Sequence, residues 1–211
     1  MSFTNWTLSP DELFSMGPVV PVMVIEQLED ALPMAQALLA ADIKVLEVTL
    51  RTPVALEAIQ LLREELPDAL VGAGTVTTPE QLQSVTAAGA QFAISPGITR
   101  ELLVAGAAGS IPLLPGVATI SELMQAYGLG YRHLKFFPAE AAGGTAMLKA
   151  IAGPFADVQF CPTGGIHQNN FRDYLALPNV RCVGGSWILP KTAIAAKNWP
   201  EITRLSRAAR P

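Results

Sequence analysis

A lysine interrupts an apolar, strand-like run in the second half of the chain. In the segment 133–137 (HLKFF), side chains alternate between two faces, so that Leu134 and Phe136 share one face and Lys135 lies on the other. Because the wholly apolar face is expected to pack against helices, Lys135 should point into the interior. Lysine is seldom buried, and desolvation beside aromatic rings favours a neutral amine that can attack a carbonyl carbon. The pattern leaves two hypotheses open: a nucleophilic lysine, and a structural lysine that is salt-bridged, for instance to Glu47.

Two further charged residues occupy an earlier strand-like segment, 44–51 (KVLEVTLR). With the same alternation, Glu47 and Arg51 lie opposite the apolar Leu46 and Val48 and are therefore expected to point inward. A buried carboxylate without a partner is costly, which makes an internal ion pair, or an arginine that reaches solvent, the structural alternative. About 13 Å separates the two positions along an extended strand, and this distance disfavours a direct Glu47–Arg51 pair.

Two glycine-rich segments follow later strand-like runs, at 161–166 (CPTGGI) and 183–187 (VGGSW). Glycines allow backbone N–H groups to approach an anion closely. One glycine pair would indicate no more than a tight turn. Two pairs after the last two strands predict a phosphate site, because the loops after strands 7 and 8 bind phosphate in many (β/α)8 barrels.

The elements that would position these residues alternate regularly along the chain. Strands are predicted at 19–25, 45–50, 70–74, 92–95, 112–114, 133–137, 158–161 and 180–183, and helices at 28–40, 54–66, 79–88, 100–108, 120–127, 146–152 and 169–176. Eight β-then-α units predict an α/β fold with a parallel sheet, a (β/α)8 TIM barrel. An extra N-terminal helix at 8–16 is expected to cover the bottom of the barrel. No linker or low-complexity segment divides the chain, so that residues 1–211 are predicted to form one domain.

Composition narrows the classes of partner. Of the 211 residues, 50% are hydrophobic and 15% charged, and the mean hydropathy is +0.35. This high hydrophobicity indicates that other subunits cover part of the apolar surface. The most apolar stretch, 102–120, is interrupted by glycine and proline and predicts no transmembrane helix. The N-terminus has no pattern of a secretory signal, so that a cytoplasmic protein without a membrane partner is expected. A net charge of −4 and a pI of about 5.2 argue against nucleic acid as a partner.

The sequence contains no recognisable metal or cofactor motif. His133 and His167 are the only histidines, and neither a His-x-His nor a Cys-x-x-Cys spacing occurs. No Walker or dinucleotide-binding fingerprint is present either, so that no metal and no cofactor is expected. His133 is predicted to be a hydrogen-bonded interior residue and His167 to face solvent, while Cys161 and Cys182 are expected to be buried, reduced thiols.

From about residue 17 to residue 187, the chain resembles the 2-keto-3-deoxy-6-phosphogluconate (KDPG) aldolase family, which includes the bifunctional KHG/KDPG aldolases of the Entner–Doudoroff pathway. The motifs that carry the resemblance are 17–22 (GPVVPV), 46–51 (LEVTLR), 71–75 (VGAGT), 89–97 (GAQFAISPG), 135–140 (KFFPAE) and 160–165 (FCPTGG). Two places depart from the family pattern: Ala118 stands where the family often has Ser, and His167 and Gln168 replace a turn that often includes Pro. The resemblance implies a metal-free class I aldolase, an aldehyde-lyase that is usually a homotrimer.

The resemblance also implies the reaction and the role of individual residues. The substrate would be a phosphorylated keto acid, 2-dehydro-3-deoxy-6-phosphogluconate, cleaved to pyruvate and glyceraldehyde 3-phosphate; 4-hydroxy-2-oxoglutarate would give pyruvate and glyoxylate. Lys135 would form the Schiff base and Glu47 would be the general acid and base, while Arg51 and Thr75 would bind the carboxylate end. The other assigned residues would shape the pocket or contact substrate (Pro96, Phe137, Thr163), or hold the phosphate (Gly164, Gly165, Gly185, Ser186).

Two other classes fit the same residues. In a phosphate-binding barrel isomerase or epimerase, Glu47 and Lys135 would shuttle protons without a covalent intermediate. In a non-catalytic binding barrel, the pocket would only hold a ligand. The release of pyruvate and a covalent adduct on Lys135 distinguish the aldolase from both.

Overall fold

The computed structural model describes residues 3–210, and within that range the chain forms nine strands and ten α-helices. The strands are β1 (Val19–Met23), β2 (Val45–Thr49), β3 (Leu70–Gly74), β4 (Ala93–Ile94), β5 (Leu113–Leu114), β6 (Gly116–Val117), β7 (His133–Phe136), β8 (Gln159–Pro162) and β9 (Val183–Gly185). The helices are α1 (Pro10–Ser15), α2 (Ala31–Leu39), α3 (Ala55–Glu65), α4 (Pro79–Ala87), α5 (Arg100–Ala108), α6 (Ile120–Gly128), α7 (Gly144–Ala152), α8 (Phe171–Leu175), α9 (Lys191–Ala195) and α10 (Trp199–Ala208), with a 3-10 helix at Leu28–Asp30 before α2.

The strands form two sheets. One sheet has six strands in the order β5-β4-β3-β2-β1-β9, and the other has three in the order β6-β7-β8. All strand pairs in both sheets are parallel, as the alternation of strands and helices predicts. Two isolated bridges, Phe160 with Val180 and Thr163 with Gly184, join the chain around β8 to the chain around β9. The chain therefore has an α/β fold built on a curled parallel sheet.

Two of the predicted strands differ from the structure. The strand predicted at 112–114 corresponds to β5 alone. A second short strand, β6, follows it directly, and Pro115 separates the two. Proline has no N–H to continue a ladder, and the pairing resumes at Gly116, which lies in register with Lys135 of β7. The strand predicted at 180–183 begins only at Val183, and Val180 reaches β8 through a single bridge.

Two apolar layers lie on the two faces of the curled sheet. The outer layer packs the sheet against the helices and includes Leu46 and Val48 of β2. The inner layer lies on the concave face of the curled sheet. There Val45 packs with residues at or near the starts of neighbouring strands and with Leu13 and Phe14 of α1. The helix predicted at 8–16 is thus present as α1, and it covers the amino ends of the strands.

The helices differ from the predictions mainly at the two ends of the fold. The helix predicted at 28–40 divides into a 3-10 helix and α2, and the predictions included no helix after residue 176, where α9 and α10 follow β9. Helix α10 packs on α2 and buries Ile202. Within residues 3–210, no helix combines the length and the apolar character that a membrane span requires.

Candidate active site

Lys135 and Glu47 meet in the interior of the fold. Lys135 lies on β7 and Glu47 on β2, and the Lys135 Nζ is 3.7 Å from the Glu47 Oε1. Both residues are almost fully buried, with exposed fractions of 6% and 1%. Arg51, by contrast, is exposed. The structure therefore pairs Glu47 with Lys135 and not with Arg51.

The alternation of side chains explains why both charges point inward. Leu134 and Phe136, the neighbours of Lys135, belong to the outer apolar layer that packs against the helices. Lys135 consequently faces the interior, as the sequence predicts. Its Nζ lies 5.1 Å from the centroid of the Phe137 ring, within the range of a cation–π contact.

The environment of Glu47 makes its carboxyl easier to protonate than that of an exposed glutamate. Burial raises the pKa of Glu47, and the neighbouring Lys135 ammonium offsets only part of that increase. The Glu47 Oε1 forms no hydrogen bond with the residues that the structure describes, since 3.7 Å from Lys135 exceeds hydrogen-bond distance. A carboxyl with a raised pKa and an oxygen free to accept a hydrogen bond is suited to proton transfer.

A glycine on the neighbouring strand makes room for this carboxyl. Gly74 is the last residue of β3 and lies in register with Thr49 of β2. A Cβ atom at Gly74 would overlap with the Glu47 Oε1 and would lie 2.8 Å from its Cδ. The position of Glu47 therefore depends on the absence of a side chain at residue 74.

A cavity of about 810 Å³ adjoins the pair through Phe137, whose ring lies near the Lys135 amine and lines the cavity. This volume is typical of sites for small molecules. The lining does not include the buried pair itself, nor Thr75 or Pro96. The assigned residues that line the cavity are Arg51, Phe137, Thr163, Gly164, Gly165, Gly185 and Ser186.

The two glycine-rich turns face this same cavity. Gly164 and Gly165 have φ values of 96° and 79°, a left-handed conformation that favours glycine. The helices after the two turns are α8 and α9, both of only five residues. Any anion in this part of the cavity would therefore be bound mainly by backbone N–H groups and nearby side chains, with a small contribution from helix dipoles.

The remaining assigned residues lie in the turns that follow β2, β3 and β4. Arg51 was predicted to point inward by the alternation of the strand, but it is exposed and lies in a turn in which its N–H donates to the Thr49 carbonyl at 2.8 Å. Thr75 has a φ of 60°, which is uncommon for a residue with a side chain and is often associated with functional sites. Pro96 packs tightly on the next strand, because a Cβ at Gly116 would lie 2.5 Å from the Pro96 carbonyl oxygen.

The two histidines have partners other than Lys135 and Glu47. The His133 Nε2 is 2.9 Å from the Asp11 Oδ1 of α1, and its ring packs edge-on against Phe14, so that it is hydrogen-bonded and mostly buried, as predicted. His167 is exposed, also as predicted. In the part of the chain that the structure describes, no three His, Cys, Asp or Glu side chains cluster in a way that could hold a metal ion.

Known proteins share both the sequence and the fold of this chain. The family model described as KDPG and KHG aldolase matches residues 11–205. The chain belongs to this aldolase family. The KDPG aldolase of Legionella pneumophila, in a crystal structure with pyruvate captured at low pH as a covalent carbinolamine intermediate, is 61% identical with a TM-score of 0.96, and the match covers 98% of this chain and 100% of that one.

Two further members of the family are close in sequence. The 2-dehydro-3-deoxy-phosphogluconate aldolase of Dickeya dadantii is 58% identical over 205 residues, which cover 97% of this chain and 96% of that protein. The KHG/KDPG aldolase of Escherichia coli (strain K12) is 56% identical over 205 residues, with the same shares covered. The resemblance recognised in the sequence motifs is thus confirmed.

Two features of this aldolase-family site were not recognised in the sequence. Gly74 belongs to the motif 71–75 but was given no role of its own, although a glycine beside an inward-facing glutamate on the neighbouring strand is the signal that could have identified one. Lys191 lines the cavity, but it lies in a segment for which no helix was predicted. Both features depend on contacts between segments that are distant in the sequence.

Proposed function

We propose that this protein is a class I aldolase that cleaves 2-dehydro-3-deoxy-6-phosphogluconate to pyruvate and glyceraldehyde 3-phosphate, and 4-hydroxy-2-oxoglutarate to pyruvate and glyoxylate. The observation that carries the proposal is the buried Lys135 amine, 3.7 Å from the Glu47 carboxylate and next to a cavity of about 810 Å³. A carbinolamine, such as the pyruvate adduct of the Legionella relative, forms by addition of an amine to a ketone. Lys135 would supply that amine here.

The reaction follows from the chemistry of the two residues. The Lys135 amine adds to the C2 ketone, and loss of water gives a protonated imine that can accept electrons. Glu47 removes the proton of the C4 hydroxyl through a water molecule, and the C3–C4 bond breaks as its electron pair moves to the imine. The aldehyde product leaves, the resulting enamine is protonated at C3, and hydrolysis of the imine releases pyruvate and the free Lys135 amine.

The other assigned residues would orient an extended substrate. Arg51 would bind the carboxylate through its planar guanidinium, together with Thr75. Pro96, Phe137 and Thr163 would shape the centre of the pocket. The phosphate would lie at the opposite end, on the backbone of Gly164, Gly165, Gly185 and Ser186, so that binding energy remote from the reacting carbon helps to orient it.

The proposal includes a closed (β/α)8 barrel formed by a single domain over residues 1–211. Two observations support closure: only Pro115 lies between β5 and β6, so that the two segments act as one strand, and bridges connect the chain around β8 to that around β9. A homotrimer in the cytoplasm is also proposed. The exposed apolar side chains of Val104 and Met124, with exposed fractions of 49% and 59%, offer surface that an association could cover.

The direct test is an assay of pyruvate release, coupled to lactate dehydrogenase and performed with the phosphorylated six-carbon acid, its C4 epimer and 4-hydroxy-2-oxoglutarate. Pyruvate formation that is lost in Lys135→Ala is the expected result. Interconversion of sugar phosphates without pyruvate would instead indicate an isomerase or epimerase. Binding without any turnover would indicate a non-catalytic barrel.

A further inference from the structure

The cavity contains more positive charge than its assigned residues account for. Its charged lining residues are two acids and three bases, namely Glu26, Asp30, Arg51, Lys191 and Lys197. The cavity thus has a small excess of positive charge in a protein whose net charge is −4. Since a net negative protein repels an anionic substrate at long range, the individual roles of these bases determine where an anion can bind.

Lys197 is not free to bind an anion, because acidic side chains already neutralise it. Its Nζ contacts the Glu29 carboxylate and lies 3.5 Å from the Asp30 Oδ1. These contacts tie the segment between α9 and α10 to the 3-10 helix that follows β1. Lys197 therefore closes one side of the cavity.

Lys191 is in a different situation. Its side chain is exposed on the cavity and forms no ion pair with the residues that the structure describes. The chain reaches it through a tight turn, in which the Leu189 N–H donates to the Ser186 carbonyl at 3.0 Å. Pro190 follows, and Lys191 is the first residue of α9. Lys191 thus follows the Gly184–Gly185 pair closely in the sequence, and its ammonium group, which has no ion-pair partner among the described residues, lies on the same cavity.

We infer that Lys191 is a specificity residue for the phosphate end of the substrate. It adds a positive charge to a cavity that the backbone of the Gly164–Gly165 and Gly185–Ser186 turns also lines. This inference rests on the proposed function for the identity of the substrate. It predicts that Lys191 favours phosphorylated over unphosphorylated keto acids, because only the phosphorylated ones place a dianion at that end of the cavity.

The test compares Lys191→Ala with the wild-type protein on two substrates that differ in the phosphate. For 2-dehydro-3-deoxy-6-phosphogluconate, we expect KM to rise roughly three- to fivefold with little change in kcat, as for the loss of one solvent-exposed charged contact. For 4-hydroxy-2-oxoglutarate, which carries no phosphate, we expect KM to stay within about twofold. The rise in KM should shrink as salt concentration increases.

Two control variants distinguish the loss of the Lys191 charge from a general effect of a substitution on the fold. Lys191→Arg keeps the charge and should retain most of the affinity. Lys149→Ala removes another exposed lysine, from α7 and outside the cavity, and should leave KM for both substrates unaffected. An unchanged KM for the phosphorylated substrate in Lys191→Ala, or an equal change for both substrates, would overturn the inference.

A binding measurement keeps this inference distinguishable from the proposed function. Calorimetry with inorganic phosphate requires no turnover, and we expect weaker phosphate binding to Lys191→Ala than to the wild-type protein. If the wild-type protein releases no pyruvate but the difference in phosphate binding persists, the proposed reaction fails while the anion site stands. If wild-type and variant bind phosphate equally, the inference about Lys191 is wrong even when the aldolase reaction is established.

Discussion

The Lys135 amine and the Glu47 carboxylate lie 3.7 Å apart although their strands, β7 and β2, belong to different sheets. Their side chains meet because both sheets curl around the same interior and both residues lie on its inner face. Glu47 therefore receives an opposite charge without a hydrogen bond. The Glu47 Oε1 is therefore free to accept a hydrogen bond from a water molecule or from a substrate hydroxyl group.

Replacing Glu47 by glutamine should separate proton transfer from covalent binding. Glu47→Gln keeps the shape of the side chain but removes the base, so that we expect kcat to fall by roughly 10²- to 10⁴-fold. Pyruvate should still bind and form an imine, because Lys135 is intact. Steady-state kinetics and titration with pyruvate check both expectations, and a variant with near wild-type kcat would exclude Glu47 as the base.

The pH dependence of the rate should reflect the burial of Glu47. Its raised pKa means that the carboxyl takes up a proton at higher pH than an exposed glutamate does. Because the ionised form is the base, activity should be lost as pH falls through this raised value, and the acid limb of kcat should lie above the ordinary glutamate pKa of about 4.3. A limb at or below that ordinary value, or one that persists unchanged in Glu47→Gln, would assign it to another group.

Gly74→Ala should lower kcat by displacing the Glu47 carboxylate, although residue 74 is not assigned a contact with the substrate. The added Cβ would overlap with the Glu47 carboxylate, so that we expect a loss of kcat of about 10-fold or more and a loss of about 1–3 kcal/mol in the free energy of unfolding. Gly128→Ala is a matched control, since a Cβ at this position of α6 meets nothing within 4 Å. The control should be neutral or slightly stabilising. Full activity in Gly74→Ala would contradict the geometry.

His133 should make the fold less stable in mild acid. Burial lowers the pKa of His133, and the hydrogen bond with Asp11 opposes this only in part. The folded state thus binds the proton less tightly than the unfolded state, so that the stabilisation is present above the unfolded pKa of about 6.5 and is lost as pH falls through the lower folded value. Buried Glu47 contributes with the opposite sign, so the effect is measured as a difference between variants.

Urea unfolding at several pH values between about 7 and 5 tests this prediction. His133→Gln should flatten the decline in the free energy of unfolding relative to the wild-type protein. His167→Gln, which changes the other histidine at an exposed position, should leave the decline unchanged. Identical pH dependence in both variants would show that His133 does not titrate with folding.

Much of the site could be predicted because strand alternation and turn composition are local properties. The parity of the apolar neighbours places Lys135 and Glu47 in the interior, and the glycine pairs mark the turns that line the cavity. Arg51 could not be placed in the same way, since the chain turns immediately after β2 and the alternation of a strand no longer applies.

The features that escaped prediction depend on contacts between distant segments. The need for glycine at residue 74 comes from a side chain on the neighbouring strand. The break at Pro115 is a local signal, yet the resumption of pairing at Gly116 requires the partner strand β7. Helices α9 and α10 follow the last strand and pack on earlier elements such as α2, so that their boundaries depend on tertiary contacts as well as on local pattern.

Trapping with borohydride tests the central claim most directly. Pyruvate is incubated with the protein, sodium borohydride is added to reduce any imine, and peptide mapping by mass spectrometry locates the product. We predict a single carboxyethyl adduct on Lys135, retained in Glu47→Gln and absent from Lys135→Ala, which should also lack turnover. No adduct in the wild-type protein, or an adduct on another lysine with Lys135 unmodified, would contradict a Schiff-base mechanism at Lys135.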